Sequence, residues 1–363
     1  MTSQRLTSLD ALRGFTIAAM ILVNFPGDEA HVFAPLRHTV WNGLTPTDLI
    51  APFFLFIVGI SIVLAYGRKV ALGEPKGELY RKIVIRFLKL FALGILLNLL
   101  PYFNFSDLRY TGVLPRIALV FLPCAFLFLK TTARTQAIVG MGILIAYCLC
   151  MLLIPTPGQG KVMLEPGVNL AAWVDLQWLP GKMWQGTWDP EGILSTFPAI
   201  VSGISGLLAG HWLQSAREPK DKVIGLMVAG LVSAAAGYVW GLVFPVNENL
   251  WTSSFVLVTS GFAALLLGAA YYVVDLRGWT NGTKIGIIFG ANAIAVYVMA
   301  ELLALVCYVF PLQGETLNHR VVNALVDAGV RAEWASALYA VCFVALNFLP
   351  AYVLYRRKIF IKL

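Results

Sequence analysis

The stretch LIAPFFLFIVGISIVLAY, residues 49–66, contains no charged side chain. An α-helix of this length extends about 27 Å, close to the roughly 30 Å thickness of a bilayer's hydrocarbon core. Comparable apolar runs recur along the chain, which is 59% hydrophobic and only 13% charged. Because the backbone must satisfy its own hydrogen bonds in lipid, these runs predict helices. We therefore expect an all-α, polytopic integral membrane helical bundle, formed as a single transmembrane domain over residues 1–363.

The apolar runs predict about ten transmembrane helices. With ten spans, 20 of the 27 Lys and Arg residues fall on the side of the termini and 7 on the other. Basic residues concentrate on the cytoplasmic side of membrane proteins, so both termini are predicted to be cytoplasmic. This count includes Arg5 and Lys362. The predicted spans cover residues 10–26, 47–66, 81–100, 112–129, 135–154, 191–213, 222–244, 252–274, 284–310 and 336–355.

The charge and the cysteines exclude several classes of partner. A net charge of +8 would suggest nucleic acid for a soluble protein. Here the basic residues follow membrane orientation, so we expect the lipid bilayer and no nucleic acid as a partner. The five cysteines form no CxxC or Cys/His cluster, and the chain has no HExxH, GxSxG or P-loop motif. We therefore expect no metal site and no disulfide framework.

A polar segment, RHTVWNGLTPTD (37–48), directly precedes the second span and is predicted to lie outside. It contains His38, Asn42 and Asp48, and Asn24 ends the first span. The closing TPTD fits a helix N-terminus, with Asp48 as the acid of a capping box. Capping does not account for His38 or Asn24. Histidine titrates near neutrality, so His38 could take a proton from an amine or alcohol, or accept an acyl group itself.

Other outside segments carry acids and tryptophans. DPEG (189–192) fits the start of the sixth span, with Asp189 as N-cap, and Asn249 could cap the eighth span. Capping leaves Glu191 unexplained. The loop 155–190 is rich in Gly, Pro and Trp and has no helical period. It is predicted to be an extracytoplasmic lid or binding element, or else an interfacial aromatic belt.

Basic residues gather around the cytoplasmic start of the third span. Lys82, Arg86 and Lys89 share one helical face. The positive-inside rule, acting on anionic lipid headgroups, explains such a cluster without further function. Arg86 and Lys89 nevertheless lie within the predicted helix, where a charge needs a partner or a cavity, and a phosphate-bearing cofactor would supply one. Arg13, in the first span, could join them or pair with Asp10 at i, i+3.

Six stretches of the chain stand in one order: RLTSLDALRGFTIAAMILVN (5–24), RHTVWNGLTPTDLIAPFFLFIVG (37–59), GVLPRIALVF (112–121), DPEGILSTFPAI (189–200), FPVNENLWTSSFVLVTSG (244–261) and GANAIAVYV (290–298). Together they resemble the heparan-α-glucosaminide N-acetyltransferase family and its bacterial homologues, within the transmembrane acyltransferases. The resemblance implies a protein of the bacterial inner membrane that transfers an acetyl group. The donor would be cytoplasmic acetyl-CoA, and the acceptor the amine of a glucosamine-type sugar at the extracytoplasmic face.

By this resemblance the catalytic histidine falls on His38. We expect Asp48 to orient its imidazole, and Asn24 and Asn42 to stabilise the thioester oxyanion. The residues expected to bind the acceptor sugar are Asp189, Glu191, Trp41, Asn249 and Trp251. The residues expected to bind CoA are Arg13, Lys82, Arg86, Lys89 and Asn292.

Two positions depart from the family pattern, and both bear on the acceptor. Pro115 stands where glutamine is expected, and Glu248 where lysine is common. Because the SLDALRG block stands at the start of this sequence, we expect no counterpart of the luminal domain that precedes it in the animal enzymes. The acceptor can therefore differ from the animal polysaccharide end.

Two other functions stay open. One is a transporter for a small sugar or anion, and the other is O-acetylation of a cell-envelope polysaccharide. An alcohol needs a stronger base than a lone histidine, so the second would need a firm His–carboxylate pair. A homodimer is a candidate assembly, although the sequence leaves the oligomeric state open. It also does not separate direct transfer from transfer through an acetyl-histidine.

Overall fold

A computed structural model describes residues 6–312 and 314–361, so Arg5 and Lys362 lie outside the described residues. The described residues form helices and no β-strand, and their extended backbone pairs only in isolated bridges. The all-α prediction is confirmed. The helices, as the structure bounds them, are α1 (Thr7–Asn24), α2 (Ile50–Ala71), α3 (Lys76–Leu99), α4 (Val113–Lys130), α5 (Ala133–Leu153), α6 (Leu170–Trp178), α7 (Ile193–Gln214), α8 (Pro219–Trp240), α9 (Ser253–Ala270), α10 (Thr283–Ala291), α11 (Ala293–Ala304), α12 (Leu317–Asp327) and α13 (Ala332–Arg356).

Seven helices of the described chain are long and apolar enough to cross a membrane. An eighth span results if α10 and the helix after it count as one, although the pair is bent by 81° at its break. Helices α1 and α3 occupy the first and third predicted spans but are not among these. Both carry charged residues, including Asp10 and Arg13 in α1. The apolar helices indicate an integral membrane protein, while ten spans and cytoplasmic termini stay predictions.

The chain divides into two compact units. The first comprises Thr39–Leu44 and Ala51–Tyr272. Within it α7 is the central helix, since it contacts α4, α5, α6, α8 and α9. Helix α7 also approaches α2 closely: a Cβ at Gly206 would lie 2.0 Å from the carbonyl oxygen of Phe56. Small residues let helix backbones pack at such short distances, which suits association in lipid.

The second unit comprises residues 6–38, Thr45–Ile50 and the described part of 273–361. Here α1 packs against α10, α11 and α13. The start of α1 is capped from the far end of the sequence, because the backbone amides of Thr7 and Ser8 donate to the two carboxylate oxygens of Asp275, at 3.0 and 3.2 Å. An acid at a helix N-terminus satisfies free amides and opposes the helix dipole. The apolar pattern alone does not predict this contact.

The crossing of α1 and α10 depends on Gly14. A Cβ at this position would lie 1.7 Å from the carbonyl oxygen of Gly286 and 2.6 Å from the backbone nitrogen of Gly290. We predict that Gly14→Ala destabilises the protein by about 1–3 kcal/mol, because the backbones must separate to admit the methyl group. Thermal unfolding of the purified variant in detergent measures this effect.

The matched control is Gly142→Ala in α5, where a Cβ would meet nothing within 4 Å. Alanine has the better helix propensity, so this variant is expected to keep or slightly raise the melting temperature. Equal melting temperatures for the two variants would contradict the close crossing at Gly14.

Candidate functional site

His38 and Asp48 form a hydrogen-bonded pair in the second unit. The ring nitrogen Nδ1 of His38 lies 2.9 Å from Oδ1 of Asp48. The Asp48 side chain is fully buried, whereas 53% of the His38 side chain is exposed. Because a carboxylate only accepts, Nδ1 carries the proton, and a neutral ring then presents its lone pair at Nε2. The pair therefore offers an oriented base or nucleophile on an accessible surface.

The second oxygen of Asp48 holds the start of the following helix. Oδ2 accepts a hydrogen bond from the backbone N–H of Thr45 at 2.7 Å, three residues upstream. This is the carboxylate half of the predicted capping box, and it is confirmed. The other half is absent from this turn, because the Thr45 hydroxyl donates to the carbonyl of Arg37 at 2.8 Å. One buried carboxylate thus both caps a helix and orients a histidine.

The loop that leads to His38 is held by its own side chains. Arg37 Nε donates to the carbonyl of Val32 at 2.7 Å, and its Nη2 to the carbonyl of Ala30 at 3.2 Å. These bonds fix the backbone directly before the histidine, so His38 does not rest on a freely moving chain.

A second histidine–aspartate pair lies in the same loop. His31 Nδ1 is 2.7 Å from Oδ2 of Asp28, and this hydrogen bond is the main cause of an Asp28 pKa below its ordinary value. The Asp28 backbone N–H donates to the hydroxyl of Ser336 in α13 at 3.0 Å, which anchors the loop. His31 therefore serves as a natural comparison for His38, with similar exposure and a similar partner.

The two predicted oxyanion residues lie in different units. Asn24 is exposed as the last residue of α1 in the second unit. Asn42 belongs to the first unit, where its Oδ1 accepts from Nδ2 of Asn247 at 3.1 Å. Asn247 is fully buried, and its own Oδ1 accepts from the backbone N–H of Leu250 at 2.8 Å. Sequence reasoning missed Asn247, although it lies within the NENLW segment.

Asp189 and Glu191 both bind Arg109, a residue that the sequence did not place in the site. Arg109 reaches Asp189 through Nε and Nη2 at 2.8 and 2.7 Å, and Glu191 through Nη2 at 2.6 Å. The Thr111 hydroxyl adds a hydrogen bond to Asp189 at 2.7 Å. Burial acts to raise the pKa of Asp189, but these hydrogen bonds outweigh it and hold the pKa below its usual value. Arg109 therefore already neutralises the two acids that the sequence assigned to the sugar amine.

The prediction that Asp189 caps the sixth span is wrong. Helix α7 begins at Ile193, and Asp189 instead accepts from the backbone N–H groups of Glu191 and Trp184, at 2.9 and 3.0 Å. The cap comes from Asp175 of α6, whose Oδ1 accepts from the N–H of Ile193 at 2.8 Å. Sequence spacing cannot find this contact, because it joins residues 18 positions apart through the fold of the loop.

Two further sequence predictions are corrected in the segments that were predicted to lie outside. The loop 155–190 is not wholly irregular, since it contains α6 with Asn169 as its N-cap. Asn249 does not cap the eighth span; helix α9 begins at Ser253, and the hydroxyl of Thr252 accepts from the N–H of Phe255 at 3.4 Å.

The two tryptophans proposed for the sugar differ in their surroundings. Trp251 is only 4% exposed, its indole N–H donates to the hydroxyl of Ser202 at 3.1 Å, and the Arg116 guanidinium lies 5.2 Å from its ring centroid. Its ring is therefore enclosed by protein. Trp41 is half-buried, donates to the carbonyl of Leu164 at 3.0 Å and meets Trp188 edge-on at 5.2 Å. Trp41 thus contacts the loop 155–190 at two points, and part of its own side chain stays accessible.

Among the residues predicted to bind CoA, three already have protein partners. Arg13 pairs with Asp10 at 3.3 Å, which is the simpler alternative that the sequence allowed. Lys82 lies 3.1 Å from Glu74. Asn292 is buried at the break between α10 and α11, where its side chain donates to the carbonyl of Ile359 and accepts from the N–H of residue 361. Asn292 thus joins the broken helix to the end of the described chain.

Arg86 and Lys89 remain suited to a phosphate. Arg86 is half-buried in α3, with its guanidinium carbon 4.9 Å from the ring centroid of Phe121. Its Nε is buried and has no hydrogen-bond partner among the described residues. Lys89, one turn further on, is exposed. A buried donor without an acceptor is costly, so an anionic group beside Arg86 would remove a penalty.

Asp175 makes the stability of this region depend on pH. Burial raises its pKa from 3.8 to about 6. A raised acid pKa means that the folded protein favours the protonated form of the carboxyl group. The stability that this form contributes is therefore complete below about pH 4 and is lost as pH rises through 6. We predict that the free energy of unfolding of the parent protein falls by on the order of 2 kcal/mol between pH 4 and pH 7. Asp175→Asn should abolish this fall, since asparagine keeps an acceptor for Ile193 without ionising.

Melting temperatures measured from pH 4 to pH 7 test this expectation. Asp107→Asn is the control, because the Asp107 side chain is 61% exposed. The prediction fails if the Asp175→Asn curve keeps the same slope as the parent protein.

Known proteins resemble the chain along its length. A family model described as the catalytic part of heparan-alpha-glucosaminide N-acetyltransferase matches residues 5–157, a range that includes His38 and Asp48. The enzyme of that name from Homo sapiens is 30% identical over an alignment of 416 residues, covering 99% of this chain, and the one from Mus musculus is 28% identical over 423 residues, covering all of it. The chain spans about 60% of the length of either relative. The resemblance to this family, inferred from six sequence blocks, is confirmed.

Proposed function

We propose that the protein is a membrane-bound acetyltransferase that moves an acetyl group from cytoplasmic acetyl-CoA to the amine of a glucosamine-type sugar at the extracytoplasmic face. The observation that carries this proposal is the His38–Asp48 pair, with a buried carboxylate at 2.9 Å and an accessible ring. Similarity to N-acetyltransferases over the region that contains both residues supports it.

The pair suits the proton transfers that amide formation requires. With Nδ1–H held by Asp48, Nε2 of His38 accepts a proton from the acceptor ammonium. The freed amine attacks the acetyl carbonyl, a C–N bond forms and the thioester C–S bond breaks. His38 releases the first proton to solvent, takes a second proton from the nitrogen as the amide forms and passes it to the departing thiolate, so the products are the amide, CoA and one proton. Transfer through an acetyl-histidine would use the same Nε2 as nucleophile.

Other roles stay proposals drawn from the sequence and the resemblance. Asn24 and Asn42 are the proposed donors to the oxyanion, and Trp41 the proposed platform for the sugar ring. For CoA, we place its phosphates beside Arg86 and Lys89, because Arg86 has a buried, unsatisfied donor. An anion there would meet both a guanidinium and an ammonium on one helix.

O-acetylation of a saccharide hydroxyl is the second candidate. An alcohol is harder to deprotonate than an ammonium ion, so that reaction needs a histidine backed by a firm carboxylate. The 2.9 Å contact between His38 and a fully buried Asp48 meets this requirement. Mass spectrometry of the product, before and after mild alkaline hydrolysis, distinguishes an N-acetyl amide from a labile O-acetyl ester.

We predict that His38→Ala lowers acetyl transfer to glucosamine by about 10²–10⁴-fold, the usual contribution of a general acid–base group, and leaves CoA binding intact. Radiolabelled acetyl transfer and thermal stabilisation by CoA provide the two measurements. His31→Ala is the matched control, because it removes a similarly exposed histidine with its own aspartate and should retain parental activity. Parental activity in the His38 variant would refute the assignment.

Asp48→Asn separates the two roles of this carboxylate. The asparagine oxygen can still accept the Thr45 N–H, but its amide nitrogen cannot stabilise a protonated Nδ1. We predict near-parental folding and a loss of acetyl transfer of about 10²–10⁴-fold. Asp48→Ala should lose the cap as well and melt at a lower temperature. If Asp48→Asn remains fully active, the carboxylate is only a helix cap.

A further inference from the structure

A cleft in the first unit is lined by none of the residues proposed for acetyl transfer. Its volume is about 350 Å³, near the lower end of the roughly 300–1,000 Å³ typical of small-molecule sites. The residues that line it come from the end of α3 and from two outside loops: Asn98, Asp107, Arg109, Lys182, Met183 and Trp184.

Backbone contacts hold the two loops of this cleft together. Arg109 and Gly181 form an isolated antiparallel bridge, and the N–H of Lys182 donates to the carbonyl of Leu108 at 3.0 Å. Asn98 donates from its side chain to the carbonyls of Arg109 and Thr111, both at 2.7 Å. The walls are therefore already in place, which reduces the entropy that a ligand must pay on binding.

Trp184 supplies an aromatic surface at the rim. Its side chain is 65% exposed, although its backbone N–H is fixed by Asp189 at 3.0 Å. The Arg109 guanidinium lies 5.0 Å from the indole centroid, held in turn by two carboxylates. A rigid, exposed indole beside amide, carboxylate and cationic groups suits a pyranose ring, whose faces are apolar and whose edges are hydroxyls.

The charges around the cleft select among saccharides. The cleft is lined by the cations Arg109 and Lys182 and by the carboxylate of Asp107. Asp189 and Glu191 add two carboxylates, because both bind Arg109. Arg109 is bound to two of these acids, and Lys182 lies 3.6 Å from Asp107. Arg116 also acts on Asp189 and Glu191, so three cations balance three carboxylates and the surroundings offer no excess positive charge to a sulfated glycan.

We propose that this cleft binds a saccharide unit that is uncharged or carries an amine, as a recognition site for an oligosaccharide acceptor. That this saccharide is an acceptor rests on the proposed function, and the inference narrows the substrate class to unsulfated saccharides. Trp184 is the residue on which binding depends.

Isothermal titration of the full chain in detergent with a β-1,4-linked glucosamine tetramer tests the proposal. The parent protein is expected to bind the tetramer, and Trp184→Ala to weaken binding about tenfold through loss of the stacking surface. Trp178→Ala is the control, because Trp178 is 74% exposed and does not line the cleft. A heparin-derived sulfated tetrasaccharide should bind more weakly than the glucosamine tetramer.

Several outcomes would overturn the inference: no binding of the tetramer, equal binding by the parent and the Trp184 variant, or preference for the sulfated probe. The titration measures binding without acetyl transfer, so its result is independent of catalysis. Binding without any acetyl transfer by the parent would refute the proposed function alone, and transfer without Trp184-dependent binding would refute only this site.

Discussion

The shared use of the Asp48 carboxylate is the constraint on which the candidate site depends. A buried carboxylate is costly unless its oxygens are hydrogen-bonded, and each oxygen of Asp48 has a different partner. One partner is the backbone at the start of the second span, and the other is the His38 ring. The position of the imidazole is therefore tied to the start of a membrane helix, which gives an exposed side chain a rigid support.

A second polar network organises the loops that precede α4 and α7 in the first unit. Arg109 joins Asp189 to Glu191. Helix α7 begins shortly after Glu191, at Ile193, and Asp175 caps it. Helix α7 contacts most of the other helices of this unit, so the network fixes the N-terminus of the unit's central helix. The same arginine lies beside Trp184 and forms part of the cleft wall. Structural support and the proposed saccharide site thus share one set of charges.

Local chemistry made part of the site predictable. His38 and Asp48 lie ten residues apart, and a proline-containing turn between them is enough to bring them together. The capping role of Asp48 followed from spacing alone. Asp189, Asn249 and Trp251 were less predictable, because their surroundings come from distant segments. Arg109 and Asp175 were missed for the same reason: their partners lie 80 and 18 positions away.

The sequence by itself determined the all-α membrane class, the position of most apolar helices and the family resemblance, since each depends on composition or on residues close together in the chain. Only the tertiary structure decided which polar groups are paired. The Asp275 cap on α1, the Asn292 link to Ile359 and the capture of two acids by Arg109 each join distant segments. Buried charges and amides take whichever partner the fold places within hydrogen-bond distance, and residue spacing does not record that choice.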